Sequence, residues 1–432
     1  MWVLALLRRI PWVATGALAL LAGAFVLATR THGPVWLLVV WFAAALLWPP
    51  GDGPANIARE AILVSVGMGL LLLYAYQPSY AWRQAIIWLW ASVLTGFAST
   101  DPIRERLHRR WVARAGMALA LSLTLLTSVW GMSPSPGGPR LWLCLGVFCL
   151  HPGTGVLLAW MWIWAHEDTL WTRALWGLAA MGVFWLQGDW GLAGLILLTG
   201  LSLAWLEGAL SAQDVRRVVA LTLALAAIAW ALSPRVRWRM AAWLWPSQDP
   251  SGWGYQLIQA RCALSQGGWR GAGPAARAGA RVPLALTDFA YIAWSADGGL
   301  LAASVLLLAQ VTPWMALGML GLRDGRATTA RFRWAVAAWL AWQSVWVLGG
   351  NVGLLPITGL PLPWVAYGGA MLTALSLAAG QAIALPLQPA RRPPWPHADA
   401  RGRALLGLWL ALTVAAWLMT AYLMAQATPP HC

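Results

Sequence analysis

Apolar runs, each about as long as a bilayer is thick, succeed one another along this chain, cut by short stretches that carry arginine. A spanning helix needs about 20 mostly apolar residues, because each backbone N–H and C=O must be satisfied within the segment once water is gone. Such segments read at 10–28, 35–48, 61–76, 84–98, 115–131, 141–165, 175–186, 192–206, 218–232, 289–317, 334–355, 364–387 and 405–424. The expected fold is all-α, a polytopic transmembrane bundle of about 13 helices. His151-Pro152-Gly153 interrupts 141–165, and Gly188-Asp189 makes a short outer turn. Only 10% of the 432 residues are charged, against about 25% in soluble domains, which excludes the soluble class. No small-residue cleavage site follows 10–28, so that segment reads as retained.

Arginine position orients the bundle, because short cytoplasmic loops retain positive charge. With the N-terminus inside, the cytoplasmic segments hold Arg8, Arg9, Arg59, the cluster from Arg104 to Arg114, Arg173, Arg216, Arg217, Arg323, Arg326, Arg331, Arg333, Arg391, Arg392, Arg401 and Arg403. The short outer loops hold only Arg30, Arg83 and Arg140. This placement explains the net charge of +15 without a nucleic-acid partner. All 29 basic residues are arginine and 35 residues are tryptophan. Indoles suit a membrane–water boundary, although a GC-rich coding sequence would produce the same bias.

One long segment, 234–287, falls outside the cytoplasm and carries Arg235, Arg237, Arg239, Arg261, Arg270, Arg277 and Arg281. Long loops escape the charge rule, so these arginines are either incidental or there to attract a phosphate-bearing ligand. Most of the 14 acids lie in cytoplasmic loops, leaving Asp189, Asp249, Asp288 and Asp297 on the outer side or within a helix. An ionisable group at membrane depth costs at least about 2.5–3.5 kcal/mol, which makes each a functional candidate. Thr287 or Asp288 would also serve as N-cap of the helix opening at Phe289. Cys144, Cys149, Cys262 and Cys432 lack metal-ligand spacing, and only Cys262 lies in the long loop, so no disulfide is expected within it.

A run of Pro and Gly from Asn351 through Pro356, Thr358, Gly359, Pro361 and Pro363 to Tyr367-Gly368-Gly369 breaks a helix near the outer face. Irregular backbone in a membrane is tolerated where it lines a cavity, and glycine lets it approach a ligand. This run resembles the N-x-G-x-x-P-x-T-G-x-x-L-P-F-x-S-Y-G-G-S signature of the SEDS family, the RodA/FtsW group of polytopic peptidoglycan glycosyltransferases. Other blocks follow in the same order. Tyr255-Gln256-Leu257-Ile258-Gln259 resembles Y-Q-x-x-Q, 267–273 resembles G-G-x-x-G-K-G, and 283–289 resembles P-E-x-H-T-D-F. Gln187-Gly188-Asp189-Trp190-Gly191 resembles Q-P-D-L-G, while Arg140-Leu141-Trp142 and His151-Pro152 are weakly similar to R-R-W and Q-P-S-E. The resemblance covers about 61–388. It divides the chain into 1–58, two additional N-terminal helices; 59–388, a core of roughly ten helices with its outer loop 234–287; and 389–432, a cytoplasmic linker with an additional C-terminal helix.

The resemblance implies polymerisation of lipid II into glycan strands at the outer face of the bacterial cytoplasmic (inner) membrane, with Asp288 as general base. It implies substrate contacts from Tyr255, Gln256, Gln259, Gly268, Arg270, Arg281, Thr287, Asn351, Pro356, Thr358, Gly359, Pro363, Tyr367, Gly368 and Gly369, with Asp189, Asp297 and Arg140 as secondary candidates. The implied partners are lipid II, a class B penicillin-binding protein transpeptidase and membrane lipids. The resemblance fixes no cofactor: arginines such as Arg270 or Arg281, or a divalent cation, Mg or Mn, would neutralise the leaving pyrophosphate, and no metal ligands are assigned. Several family polar residues are replaced: the lysine by Ala272, a glutamate and a histidine by Leu284 and Leu286, the glutamate of P-S-E by Thr154, and two serines by Ala366 and Ala370. An acidic pair is Ala296-Asp297 here. These losses keep two alternatives open, a non-catalytic cell-envelope scaffold or degenerate paralogue, and a lipid-linked precursor transporter (flippase).

Overall fold

A computed structural model describes residues 11–29, 33–133, 138–145, 148–232, 234–390, 394–395, 397–426 and 432. Arg8, Arg9, Arg30, Arg391 and Arg392, used above for orientation, lie outside the described residues. In chain order the helices are α1 (Trp12–Thr29), α2 (Gly33–Ala45), α3 (Pro54–Tyr76), α4 (Pro78–Ala98), α5 (Asp101–Leu107), α6 (Arg110–Trp130), α7 (Pro152–His166), α8 (Leu170–Gln187) and α9 (Trp190–Leu206). They continue with α10 (Ala212–Leu232), α11 (Pro234–Leu244), α12 (Tyr255–Gly267), α13 (Ala290–Arg323), α14 (Ala327–Asn351), α15 (Gly369–Ala384) and α16 (Ala398–Ala425). Each apolar segment of the sequence contains one of these helices, and among the described residues the protein is an all-α bundle apart from one short antiparallel strand pair. Among the described residues, α3, α6, α13 and α16 are individually long and apolar enough to cross a membrane.

Two expectations need correction. Residues 141–145 and 148–150 do not extend the helix after them; strands β1 (Leu143–Leu145) and β2 (Phe148–Leu150) pair antiparallel, and Cys144 faces Cys149 in a disulfide. Pro152 sits in the first turn of α7, where its missing N–H costs nothing, so the helix starts there. The outer segment 234–287 is likewise not a bare loop, because α11 and α12 fold within it. Cys262 on α12 is bonded to Cys432, beyond α16, so the long segment is tied to the end of the chain.

Helix α13 is the centre of the bundle, packing on α3, α14, α12 and α16. It is kinked at Gly299, whose φ of 70° is left-handed, and carries Pro313 further along. Indoles of Trp314, Trp334 and Trp342 surround Trp409 of α16, with centroids 5.9–6.2 Å from its ring. The Tyr291 and Thr420 hydroxyls lie 2.8 Å apart, and the Trp417 indole N–H donates to Ser304 Oγ, so α16 is packed into the core by polar as well as apolar contacts.

Most acids assigned to the cytoplasmic side pair with arginines. Glu167 accepts from both Nε and Nη2 of Arg114, and Glu207 pairs with Arg173 and Arg331. Buried Asp324 pairs with Arg333, which also donates to the Ala382 and Leu385 carbonyls. A buried ion pair persists when its remaining hydrogen bonds are satisfied, and these bonds give Glu167, Glu207 and Asp324 a structural role.

Candidate functional site

The site grows from the irregular run 352–368 between α14 and α15, four of whose carbonyls accept from side chains rather than from backbone N–H groups. These side chains come from neighbouring helices. The Trp346 indole donates to the Pro356 carbonyl, Gln343 to Pro361, Gln310 to Pro363 and Gln84 to Ala366, at 2.7–3.3 Å. Gln84 also accepts from the Gly368 N–H. Buried backbone polar groups must be paired, so glutamines inside apolar helices hold this run in place. The Tyr367 N–H donates to the Leu286 carbonyl and its ring stacks on Tyr80, joining the run to the turn before α13.

That turn, 283–289, presents Asp288. Its fold depends on Leu284, at φ 58°, whose carbonyl accepts from the N–H groups of Thr287 and Phe289. The N-cap of α13 is Phe289, with no side-chain cap bond, so neither Thr287 nor Asp288 caps the helix. The Asp288 carboxylate faces Gly359: a methyl group there would stand 3.6 Å from Oδ2. Gly359 has φ 76°, which glycine adopts without strain. Asn351 donates to the Asp288 carbonyl at 2.8 Å. Asp288, Trp346, Gly350, Asn351, Thr358 and Gly359 line one crevice. Burial raises the Asp288 carboxyl to about 6, against lowering by the Thr287 hydroxyl and the Arg239 charge.

The other outer carboxylates are committed to structure. Asp189 caps α9 through the Leu192 N–H and faces His151 at 3.5 Å. Burial raises the Asp189 carboxyl and lowers the His151 imidazole. Asp249 accepts from the N–H groups of Gly252 and Trp253. Asp297 accepts from the Ala278 N–H, while Tyr76 beside it accepts from the Gly279 N–H. Asp297 is also more than two helical turns beyond Asp288.

Several residues expected at the site lie elsewhere. None of Gly268, Arg270 and Arg281 lines the crevice, and both arginines are exposed. Gly267 and Gly271 serve close packing, since side chains there would strike the backbone of Ala296, Asp297 or Gly299 on α13, while Gly268 and Gly273 face open space with left-handed backbone. Arg140 donates to the Val129 carbonyl and fastens the hairpin to α6. Gln256 and Gln259 sit half-buried on α12, with Tyr255 exposed at its start. Pro356 and Pro363 offer carbonyls to Trp346 and Gln310, while Gly369 packs on Ile87. Arg239, not singled out in the sequence, is the arginine whose charge reaches both Asp288 and Asp189. Gln84, Gln310 and Gln343 were also missed, although polar residues inside apolar runs are a readable signal.

Residues 62–385 match the family model described as a cell cycle protein, FtsW/RodA/SpoVE. The chain is 30% identical over 319 residues to the probable peptidoglycan glycosyltransferase FtsW of Nitrosococcus halophilus, covering 68% of this chain and 79% of that protein. It is 33% identical over 154 residues to the FtsW of Pseudoalteromonas translucida, spanning 34% of this chain and only 39% of that relative's length. Among solved structures, a chain from a study of how a peptidoglycan synthase complex coordinates polymerization and crosslinking superposes with a TM-score of 0.65 at 25% identity, over 80% of this chain and 97% of that one.

Proposed function

Because this chain belongs to the FtsW/RodA/SpoVE family of cell cycle proteins, we propose that it is a peptidoglycan glycosyltransferase polymerising lipid II into glycan strands. The protein is a multi-pass membrane protein, and we place it in the bacterial cytoplasmic membrane with the Asp288 crevice on the outer face. A class B penicillin-binding protein transpeptidase is the proposed partner, in keeping with the synthase complex that its structural relative comes from. Residues 59–388 would form the catalytic core, with α1, α2 and α16 as additions packed against it.

In this reading the Asp288 carboxylate takes the proton from the acceptor sugar's 4-hydroxyl. That oxygen bonds to the anomeric carbon of the donor, and the bond from that carbon to the diphosphate breaks, releasing undecaprenyl diphosphate. A base works best when its pKa lies near the working pH, and burial raises Asp288 toward that range. The cation of Arg239 lies where developing negative charge would be stabilised. The single observation that carries the proposal is that Asp288 lines a crevice against the Pro/Gly run while the other outer carboxylates hold backbone N–H groups. Among the described residues no three His, Cys, Asp or Glu converge, and Asp288 alone is too few ligands for Mg or Mn. A divalent cation would therefore have to arrive with the substrate's phosphates, and no step is assigned to it.

The test is conversion of labelled lipid II by the purified protein, with and without its transpeptidase partner. Glycan product is expected. Its absence under both conditions, with a family enzyme active beside it, would favour the scaffold.

A further inference from the structure

We propose that Arg261 is the binding residue for the diphosphate of the lipid-linked substrate. Helix α12 places Leu257 and Arg261 one turn apart on the same face, and both lie against Gly353. A methyl group on Gly353 would stand 3.1 Å from Arg261 Nη2 and 3.3 Å from Leu257. Gly353 is two residues beyond Asn351, whose side chain holds the Asp288 carbonyl. The Gly353 carbonyl is already taken by the Trp243 indole N–H. Trp243 lies four residues after Arg239 on α11, so one helix face brings Arg239 toward Asp288 and Trp243 onto Gly353.

Arg261 is half-buried, and its Nε is inaccessible to solvent without a hydrogen-bond partner. Among the described residues, no carboxylate lies within ion-pair distance of it. Burial lowers its pKa, with no opposing charge to offset that loss. A partly desolvated guanidinium without a counter-anion is costly on its own. It becomes favourable when a phosphate oxyanion enters, since the planar fork of donors fits such a group. The arrangement therefore suits a diphosphate held by Arg261 beside Gly353, with the sugar it carries directed toward Asp288. This assignment rests on the glycosyltransferase reading for the identity of the diphosphate's bearer.

The test is binding of inorganic pyrophosphate and of farnesyl diphosphate to the full chain in nanodiscs, in the absence of turnover. Arg261→Gln should weaken farnesyl diphosphate at least about tenfold, the scale of one charge-assisted hydrogen bond. Arg261→Lys should recover part of the loss, and Arg83→Gln should change nothing. An equal loss for pyrophosphate identifies the free anion as sufficient; a loss confined to farnesyl diphosphate identifies the lipid-linked form. Unchanged binding in Arg261→Gln overturns the proposal, as does displacement of farnesyl diphosphate by phosphatidylglycerol at equal charge. Arg261→Met should raise the ligand-free Tm, and a marked fall would show a structural role instead. Arg261-dependent binding in a chain that makes no glycan would sink the glycosyltransferase reading and leave this assignment standing.

Discussion

Asp288 combines a catalytic expectation with a stability cost, and both can be measured. Its folded pKa of about 6 lies above the ordinary 3.8, so the folded state holds the proton more tightly than the unfolded chain. The stability this contributes is fully present below the unfolded pKa and lost as pH rises through about 6. Asp288→Asn should therefore melt above the wild type at pH 8, with the difference fading by pH 4; an equal or lower Tm at pH 8 would count against a desolvated carboxylate. As a general base the same group should give kcat/KM an acidic limb near pH 6, absent from any residual activity of the Asn variant. The sequence disclosed Asp288 because outer carboxylates are scarce and Thr287-Asp288-Phe289 resembles a family block. It did not disclose Arg239, since Arg235, Arg237 and Arg239 alternate, and only the phase of α11 selects one of them.

Among the elements, the run 352–368 sets the geometry around that carboxylate. Gly359→Ala forces a left-handed residue with a Cβ, a strain of about 1–2 kcal/mol, and puts a methyl group beside Oδ2. Lower Tm and a larger fall in kcat than in substrate affinity are expected. Gln343→Leu strips the Pro361 carbonyl of its donor, and a buried unsatisfied acceptor costs about 1–3 kcal/mol. Thermal unfolding in the same detergent checks both. The apolar helices were readable because a spanning helix has a length and a composition of its own. The hairpin at 143–150 was not, since a short apolar run reads alike for strand and buried helix. The 267–273 glycines looked like a ligand loop, yet at Gly267 and Gly271 close backbone packing on α13 demands glycine just as strongly.

At the scale of the whole molecule, the Cys262–Cys432 bond joins α12 to the end of the chain across 170 residues. Cys432→Ser should cost about 2–4 kcal/mol, and reductant should lower the wild-type Tm by more than that of the variant, which keeps only the short Cys144–Cys149 link. Four spans separate Cys262 from Cys432, an even number that places both on the same side, so this pairing was within reach of the sequence. The packing of α16 onto α13 was not, because nothing in its composition separates a peripheral helix from one inserted among Trp314, Trp334 and Trp342. Core, turn and Pro/Gly run converge on one carboxylate, and the most direct measurement is the initial rate of lipid II polymerisation by Asp288→Asn beside wild type in matched nanodiscs. Loss of the general base should lower the rate about 10²–10⁴-fold with the fold intact. A folded Asn variant within twofold of wild type would contradict the assignment and move the chemistry away from Asp288.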